Sequence, residues 1–106
     1  MPVMIEQPHP SNIGKRRVIT AIDGTKVALL VTDEIVVPQG EHKLIYFQKL
    51  QFESDGRFEY RFTYYVRGFK PGRRGKWVFG QYSLMAPERE VAIMLKEARA
   101  RGWPGI

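Results

Sequence analysis

The chain has no cysteine and only two histidines among its 106 residues. Disulfides and thiolate metal sites are thereby excluded, and the missing thiols fit a reducing interior. His9 stands in a proline-rich stretch and His42 stands alone, so a transition-metal centre built on nitrogen and sulfur has no ligand set. Serine is equally sparse, and none of Ser11, Ser54 and Ser83 occupies a Gly-x-Ser-x-Gly turn. Gly68, Gly72 and Gly75 match neither the Walker spacing nor the dinucleotide-binding fingerprint. Asp33, Glu34 and Glu41 have the chemistry for acid–base work, but nothing in their spacing separates them from solvated surface charge. No catalytic apparatus is visible and no cofactor is expected. No apolar run is long enough to span a bilayer, and Met1 to Ile5 lacks the charged start and apolar stretch of a signal peptide. The expectation is a soluble cytoplasmic protein with no membrane partner.

Acidic residues are also scarce relative to basic ones, 11 against 17, which leaves a net charge of +6 and a pI near 9.8. That excess is the electrostatic footprint of a protein that meets polyanions. With 43% hydrophobic residues the chain has enough apolar material for one core, and its length suits one domain. Residues 1–14 hold Pro2, Pro8, Pro10 and Gly14 with few periodic apolar positions and read as a flexible N-terminal arm. Residues 15–106 then form the domain.

The most regular feature runs from Arg57 to Arg67. Phe58, Tyr60, Phe62, Tyr64 and Val66 alternate with Arg57, Glu59, Arg61, Thr63, Tyr65 and Arg67. A period of two marks a β-strand with one face buried and the other wet. Leu44, Tyr46, Leu50 and Phe52 alternate in the strand before it. Pairing apolar with apolar across the hairpin sets Phe52 against Phe58 and Leu50 against Tyr60, through a three-residue Ser54-Asp55-Gly56 loop. On the other face this register lays Lys43, Ile45, Phe47, Lys49 and Gln51 beside Arg67, Tyr65, Thr63, Arg61 and Glu59. Lys49 then opposes Arg61, a like-charge pair that is tolerable with an anion between the two or with both side chains splayed into solvent.

An earlier hairpin is expected to join Val18–Ile22 to Thr25–Thr32 through a two-residue Asp23-Gly24 turn of type I′. Ile35 to Val37 reads as a short extended piece ended by Pro38-Gln39-Gly40. Lys76 to Leu84 reads as a further strand in which Gly80 marks a bulge or bend. Near the C-terminus Pro87 suits a first helical position, and Glu88 and Glu90 suit the positive end of the helix dipole. Val91, Met94, Leu95 and Ala98 make an apolar stripe, Gly102 terminates it, and Trp103 to Ile106 is expected to pin the helix end onto the sheet. The fold class is therefore α+β: an antiparallel sheet of about five strands, from two hairpins plus one strand, with one C-terminal helix on it. Ala92 and Ile93 widen the helix's apolar surface, and a homodimer through that helix is expected.

The candidate site follows from the wet face and the loop after it. Arg67 to Lys76 carries Arg67, Lys70, Arg73, Arg74 and Lys76, no acid, and one aromatic, Phe69. Glycines let backbone approach a phosphate, guanidinium forks match its oxygens, and a ring stacks on a base. Lys49, Arg61 and Tyr65 extend the patch along the sheet. Phe47 and Tyr65 on this face are either stacking platforms or core beneath the helix or a second subunit. The reading is a non-catalytic module for single-stranded DNA or RNA. The alternatives are a protein–protein interaction or structural subunit, or a small enzyme acting on an anionic substrate.

Residues from about Leu44 to Glu97 resemble the single-stranded-DNA-binding coactivators related to eukaryotic positive cofactor four, which have bacterial members. The shared pattern is the aromatic and arginine-rich strand, the Lys-Pro-Gly-Arg-Arg-Gly loop of Lys70 to Gly75, Ser83-Leu84, the Pro87-Glu88 helix start and Leu95-Lys96-Glu97. In that family the loop glycine runs almost directly into the Ser-Leu strand, whereas here Lys76 to Tyr82 intervene and a further hairpin precedes the pattern. The resemblance implies a curved antiparallel sheet, helix-mediated dimerisation and unpaired strands gripped by the sheet face.

Overall fold

The computed structural model describes residues 9–68, 75–80 and 83–106. Strands β1 (Arg16–Thr20), β2 (Lys26–Gln39), β3 (Lys43–Phe52), β4 (Phe58–Arg67) and β5 (Trp77–Phe79) precede helix α1 (Glu88–Ala100). All neighbours are antiparallel, and the curled five-stranded sheet has the order β1-β2-β3-β4-β5. The α+β class with one C-terminal helix is thus the observed one.

Both hairpin turns differ from expectation. Ala21 N donates to Thr25 O, which closes a three-residue loop over Ile22, Asp23 and Gly24 in place of the two-residue turn. Only Gly24 there has positive φ, at 86°. A type I turn followed by a left-handed residue needs positive φ once, not twice, so Asp23 keeps an ordinary conformation. In the second hairpin Phe52 N donates to Arg57 O, so the loop spans Glu53 to Gly56 and is one residue longer than expected.

That extra residue changes everything beyond it. Gln51 pairs with Phe58, Lys49 with Tyr60, Gln48 with Arg61, Phe47 with Phe62 and Leu44 with Tyr65. A slip of one residue moves every side chain of one strand to the other face. Lys49 and Arg61 therefore lie on opposite faces and form no like-charge pair, and Phe47 does not share a face with Tyr65. β3 is the middle strand and is buried on both sides. Its odd residues Ile45 and Phe47 sit under α1, and its even residues Leu44, Tyr46, Gln48 and Leu50 fill the opposite face.

β2 runs unbroken through the segment expected to divide at Asp33-Glu34, because a bulge at Thr32 absorbs the change of phase. Leu29 and Val31 pair with Phe52 and Leu50 before the bulge, and Ile35 and Val37 pair with Phe47 and Ile45 after it. The inserted residue thus lets one strand feed both cores. Thr32 Oγ1 donates to Lys49 O at 3.1 Å, which satisfies a carbonyl where the ladder is interrupted.

α1 lays Met94 and Ala98 on Ile35, Val37, Ile45 and Phe47, with Val91 and Leu95 alongside. Pro87 is the N-cap, one position before the first helical residue. Gly102 N and Trp103 N return to Arg99 O and Ala98 O, so the helix closes with a Schellman arrangement. Trp103 is then delivered to the sheet as expected. Its indole N–H donates to Asp33 Oδ2 at 3.0 Å and its ring stacks on Tyr60 at 5.5 Å. β5 covers Trp77–Phe79, and Gln81 and Tyr82 of the longer strand expected lie outside the described residues. Gly80 N donates to Tyr64 O, and a Cβ on Gly80 would fall 2.2 Å from the Tyr64 ring, so only glycine permits this approach.

Candidate nucleic-acid interface

The two faces of β4 differ in kind. Arg61, Thr63, Tyr65 and Arg67 turn away from the helix, toward residues 9–14. Residues 9–14, expected to belong to a flexible arm, lie across this face. Tyr46 OH donates to Pro10 O at 2.6 Å, and Asn12 is buried. The Asn12 backbone N–H and side-chain amide both donate to the carboxylate of Glu34, which is 5% exposed, and Gln48 Nε2 donates to it as well at 2.9 Å. Gln48 Oε1 in turn accepts from Arg61 Nε and Nη2 at 2.9 and 2.7 Å. Arg17 donates to Asn12 Oδ1 at 3.1 Å.

This network takes up Arg61 within the sheet face. Burial pulls the Arg61 guanidinium below its ordinary value, partly offset by Tyr65 and Glu34, and its Nε and Nη2 both donate to Gln48. Tyr65 meets Asn12 Nδ2 at 3.4 Å and holds the Tyr46 and Phe79 rings at 4.9 and 5.4 Å. Its ring is an interior packing element, not an open platform. Arg67 lies over Trp77, its Cζ 4.8 Å from the ring centroid. Phe47 is core, stacked on Phe62 at 4.3 Å. Lys76 is exposed at the foot of β5, its carbonyl accepting from Gly68 N. Phe69, Lys70, Arg73 and Arg74 lie outside the described residues.

The acids singled out in sequence do not converge. Asp33 pairs across from Lys49 and Glu34 from Gln48, on opposite faces, and Glu41 stands beside His42 on the surface. Among the described residues, no three His, Asp or Glu side chains gather at a site suited to a metal ion, and no helix is long and apolar enough to cross a membrane.

The helix-side face of β4 carries what remains. A helix about 10 Å wide covers only about two strands spaced about 4.8 Å apart. α1 sits over β2 and β3, so the even residues of β4 extend beyond it. Phe58 is 50% exposed and Phe62 47%, and Val66 and the half-buried Tyr64 continue the row. Tyr60 between them is taken by Trp103 and by a hydrogen bond from its hydroxyl to Pro104 O. Lysines stand over rings of this row: Lys49 Nζ is 4.7 Å from the Phe58 centroid and Lys43 Nζ 5.3 Å from that of Tyr64. Of the predicted site residues that are described, Lys49 alone is in this strip. Phe58 and Phe62 were missed because the alternation assigned the even residues of β4 to the core, and Lys43 because the expected register set it beside Arg67 and not Val66. The signal that finds them is the shortage of cover: one helix cannot shield five strands. Comparisons with family models, curated proteins and solved structures give no match to the chain.

Proposed function

We propose that the helix-side strip of β4 holds an unpaired DNA or RNA strand without catalysis. The observation that carries this reading is the half-exposed pair Phe58 and Phe62 on one sheet face, with Lys49 and Lys43 beside the row. Rings supply sequence-tolerant stacking, and lysines supply the charge that tracks a backbone. Phe62 is backed by Phe47, so its exposed surface is held rigidly and little ordering cost remains on binding. The net charge of +6 favours approach of a polyanion. The basic segment from Arg67 to Lys76 follows β4 directly in sequence and is assigned to phosphate contact through Lys70, Arg73, Arg74 and Lys76, with Phe69 as a further ring. The resemblance of Leu44 to Glu97 to the single-stranded-DNA-binding coactivators points the same way.

The test is fluorescence anisotropy with labelled single-stranded DNA and RNA across a salt series. Binding should weaken steeply with salt. Phe58→Ala should cost about tenfold, within the range of about 1–3 kcal/mol per stacked base. Lys49→Ala should lower the salt slope by about one contact.

Val66 and Met85 favour a second reading. They add exposed aliphatic surface to the same strip, with Met85 O accepting from Lys43 Nζ at 2.9 Å. Aliphatic surface suits a protein partner better than bases. On this reading oligonucleotides fail to bind at low salt, while Phe58→Ala abolishes a partner complex.

A further inference from the structure

β1 is the outer strand of the sheet, and all five of its residues, Arg16 to Thr20, are exposed. Its hydrogen-bonding phase can be read from its ends. Ala21 N donates to Thr25 O, and Val31 N donates to Lys15 O. In an antiparallel ladder these bonds recur at every second residue. Arg17, Ile19 and Ala21 therefore direct their main-chain groups at β2, as does the Lys15 carbonyl, while Lys15 N donates to Asn12 O. Arg16, Val18 and Thr20 direct theirs outward, where no described strand lies. The Arg16 carbonyl takes only a long 3.4 Å bond from the Arg17 guanidinium. Natural edges are blunted by charged side chains, by proline, by bulges or by inward charge, and of these β1 carries Arg16 and Arg17, the first of them paired with Glu53. β1 has no proline and no irregularity, and Val18 at its centre is 53% exposed.

We propose that β1 pairs antiparallel with β1 of a second copy, joining two sheets edge to edge. The phase selects the register. Only outward-facing residues can pair with outward-facing residues, so Arg16, Val18 and Thr20 must meet their own kind. The alignment of greatest overlap sets Val18 against the partner's Val18 on the twofold axis. Arg16 then meets the partner's Thr20, and Arg17 meets the partner's Ile19. No cation opposes a cation. Of the two neighbouring allowed registers, one sets Arg17 against the partner's Arg17, which is unfavourable, and the other sets Ile19 against the partner's Ile19 with a shorter overlap. The longest overlap thus also avoids like charges. Arg16 is further tempered by Glu53, whose carboxylate takes both Nε and Nη2 at 2.5 and 3.1 Å. Val18 sits against Val18 in the closely bonded type of pair, and exposed Ile19 gains the stem of the partner's Arg17. A twofold axis through Val18 stands perpendicular to the sheet, so both copies of α1 and both β4 strips come to the same side.

The contact differs from nucleic-acid binding in its response to salt. Each chain carries +6, so screening the mutual repulsion favours self-association while it weakens polyanion binding. Sedimentation equilibrium of the full chain over a concentration series, at low and at high salt, reads the contact directly. A monomer–dimer equilibrium that tightens with salt is expected. Val18→Pro removes an outward N–H and leaves the bonds to β2 intact, so the dimer should weaken at least about tenfold, with circular dichroism unchanged. Ile19→Glu places a carboxylate opposite the partner's Arg17 and should tighten it. A short labelled oligonucleotide should bind each protomer equally well in both variants, which separates this contact from the β4 strip. A chain that stays monomeric at every concentration and salt overturns the proposal. So does a dimer that neither variant alters, since the contact then lies elsewhere, for instance on α1.

Discussion

Glu34 is a buried carboxylate, and the chain answers it with three N–H groups from two distant residues: the Asn12 main chain, the Asn12 side chain and the Gln48 side chain. Removing an acceptor from such a site is worse than removing a surface charge, because the donors stay buried without partners. Glu34→Ala should lower stability by about 3 kcal/mol in urea unfolding, and Asn12→Ala by less, because Gln48 still serves the carboxylate. Tyr46 shows the same economy. Burial pushes its phenol well above the ordinary value of 10.0, and the nearby Glu34 and Tyr65 push it the same way. A raised value in the folded state means that this contribution to stability is complete below pH 10.0 and is lost as pH climbs toward the folded value. Alkaline unfolding should therefore steepen above about pH 10, the ordinary tyrosine value, and Tyr46→Phe should flatten that limb when followed by tyrosinate absorbance.

At the scale of elements, alternation along β4 was legible and its partner register was not. β3 is apolar on both faces, with Leu44, Tyr46 and Leu50 on one and Ile45 and Phe47 on the other. Matching apolar to apolar within this hairpin favours the even set of β3, four apolar positions of five against two, and it selects the wrong register because Leu29 and Val31 of β2 take up Leu50 and Phe52. An Asp-Gly sequence serves a three-residue or a four-residue loop alike, since each needs a single left-handed residue, and Gly56 at φ 75° supplies it. The wet face of β4 is consequently a buried network, and its apolar face is the partly open one. The helix was legible because its stripe, its acidic start and its Gly102 stop all agree. The bulge at Thr32 was not, for no glycine marks it, and Asp33-Glu34 reads as the end of a strand. Its role predicts a sharp result. Deleting Thr32 removes the extra residue while every other residue keeps its partner, Val31 opposite Leu50 and Asp33 opposite Lys49, so both apolar sets stay on their faces. That variant should keep a cooperative thermal transition, and Thr32→Val, which keeps the bulge and loses one hydrogen bond, should cost about 1 kcal/mol.

For the whole molecule, the governing fact is one helix on a five-stranded sheet. The cover is spent on β2 and β3. The N-terminal segment closes the opposite face, and the rings of β4 are left over beside two lysines. A basic chain with such a strip is suited to unpaired nucleic acid, and its open β1 edge is suited to a second copy. The most direct measurement compares binding of a labelled single-stranded oligonucleotide by the wild type, by Phe58→Ala with Phe62→Ala, and by Arg61→Ala, each confirmed folded by circular dichroism. The strip account predicts salt-sensitive binding by the wild type, a loss of at least about tenfold in the double variant from two missing stacks, and near-normal affinity in whatever folded fraction Arg61→Ala retains. Full affinity in the double variant, or no salt-sensitive binding by the wild type at low ionic strength, would contradict it.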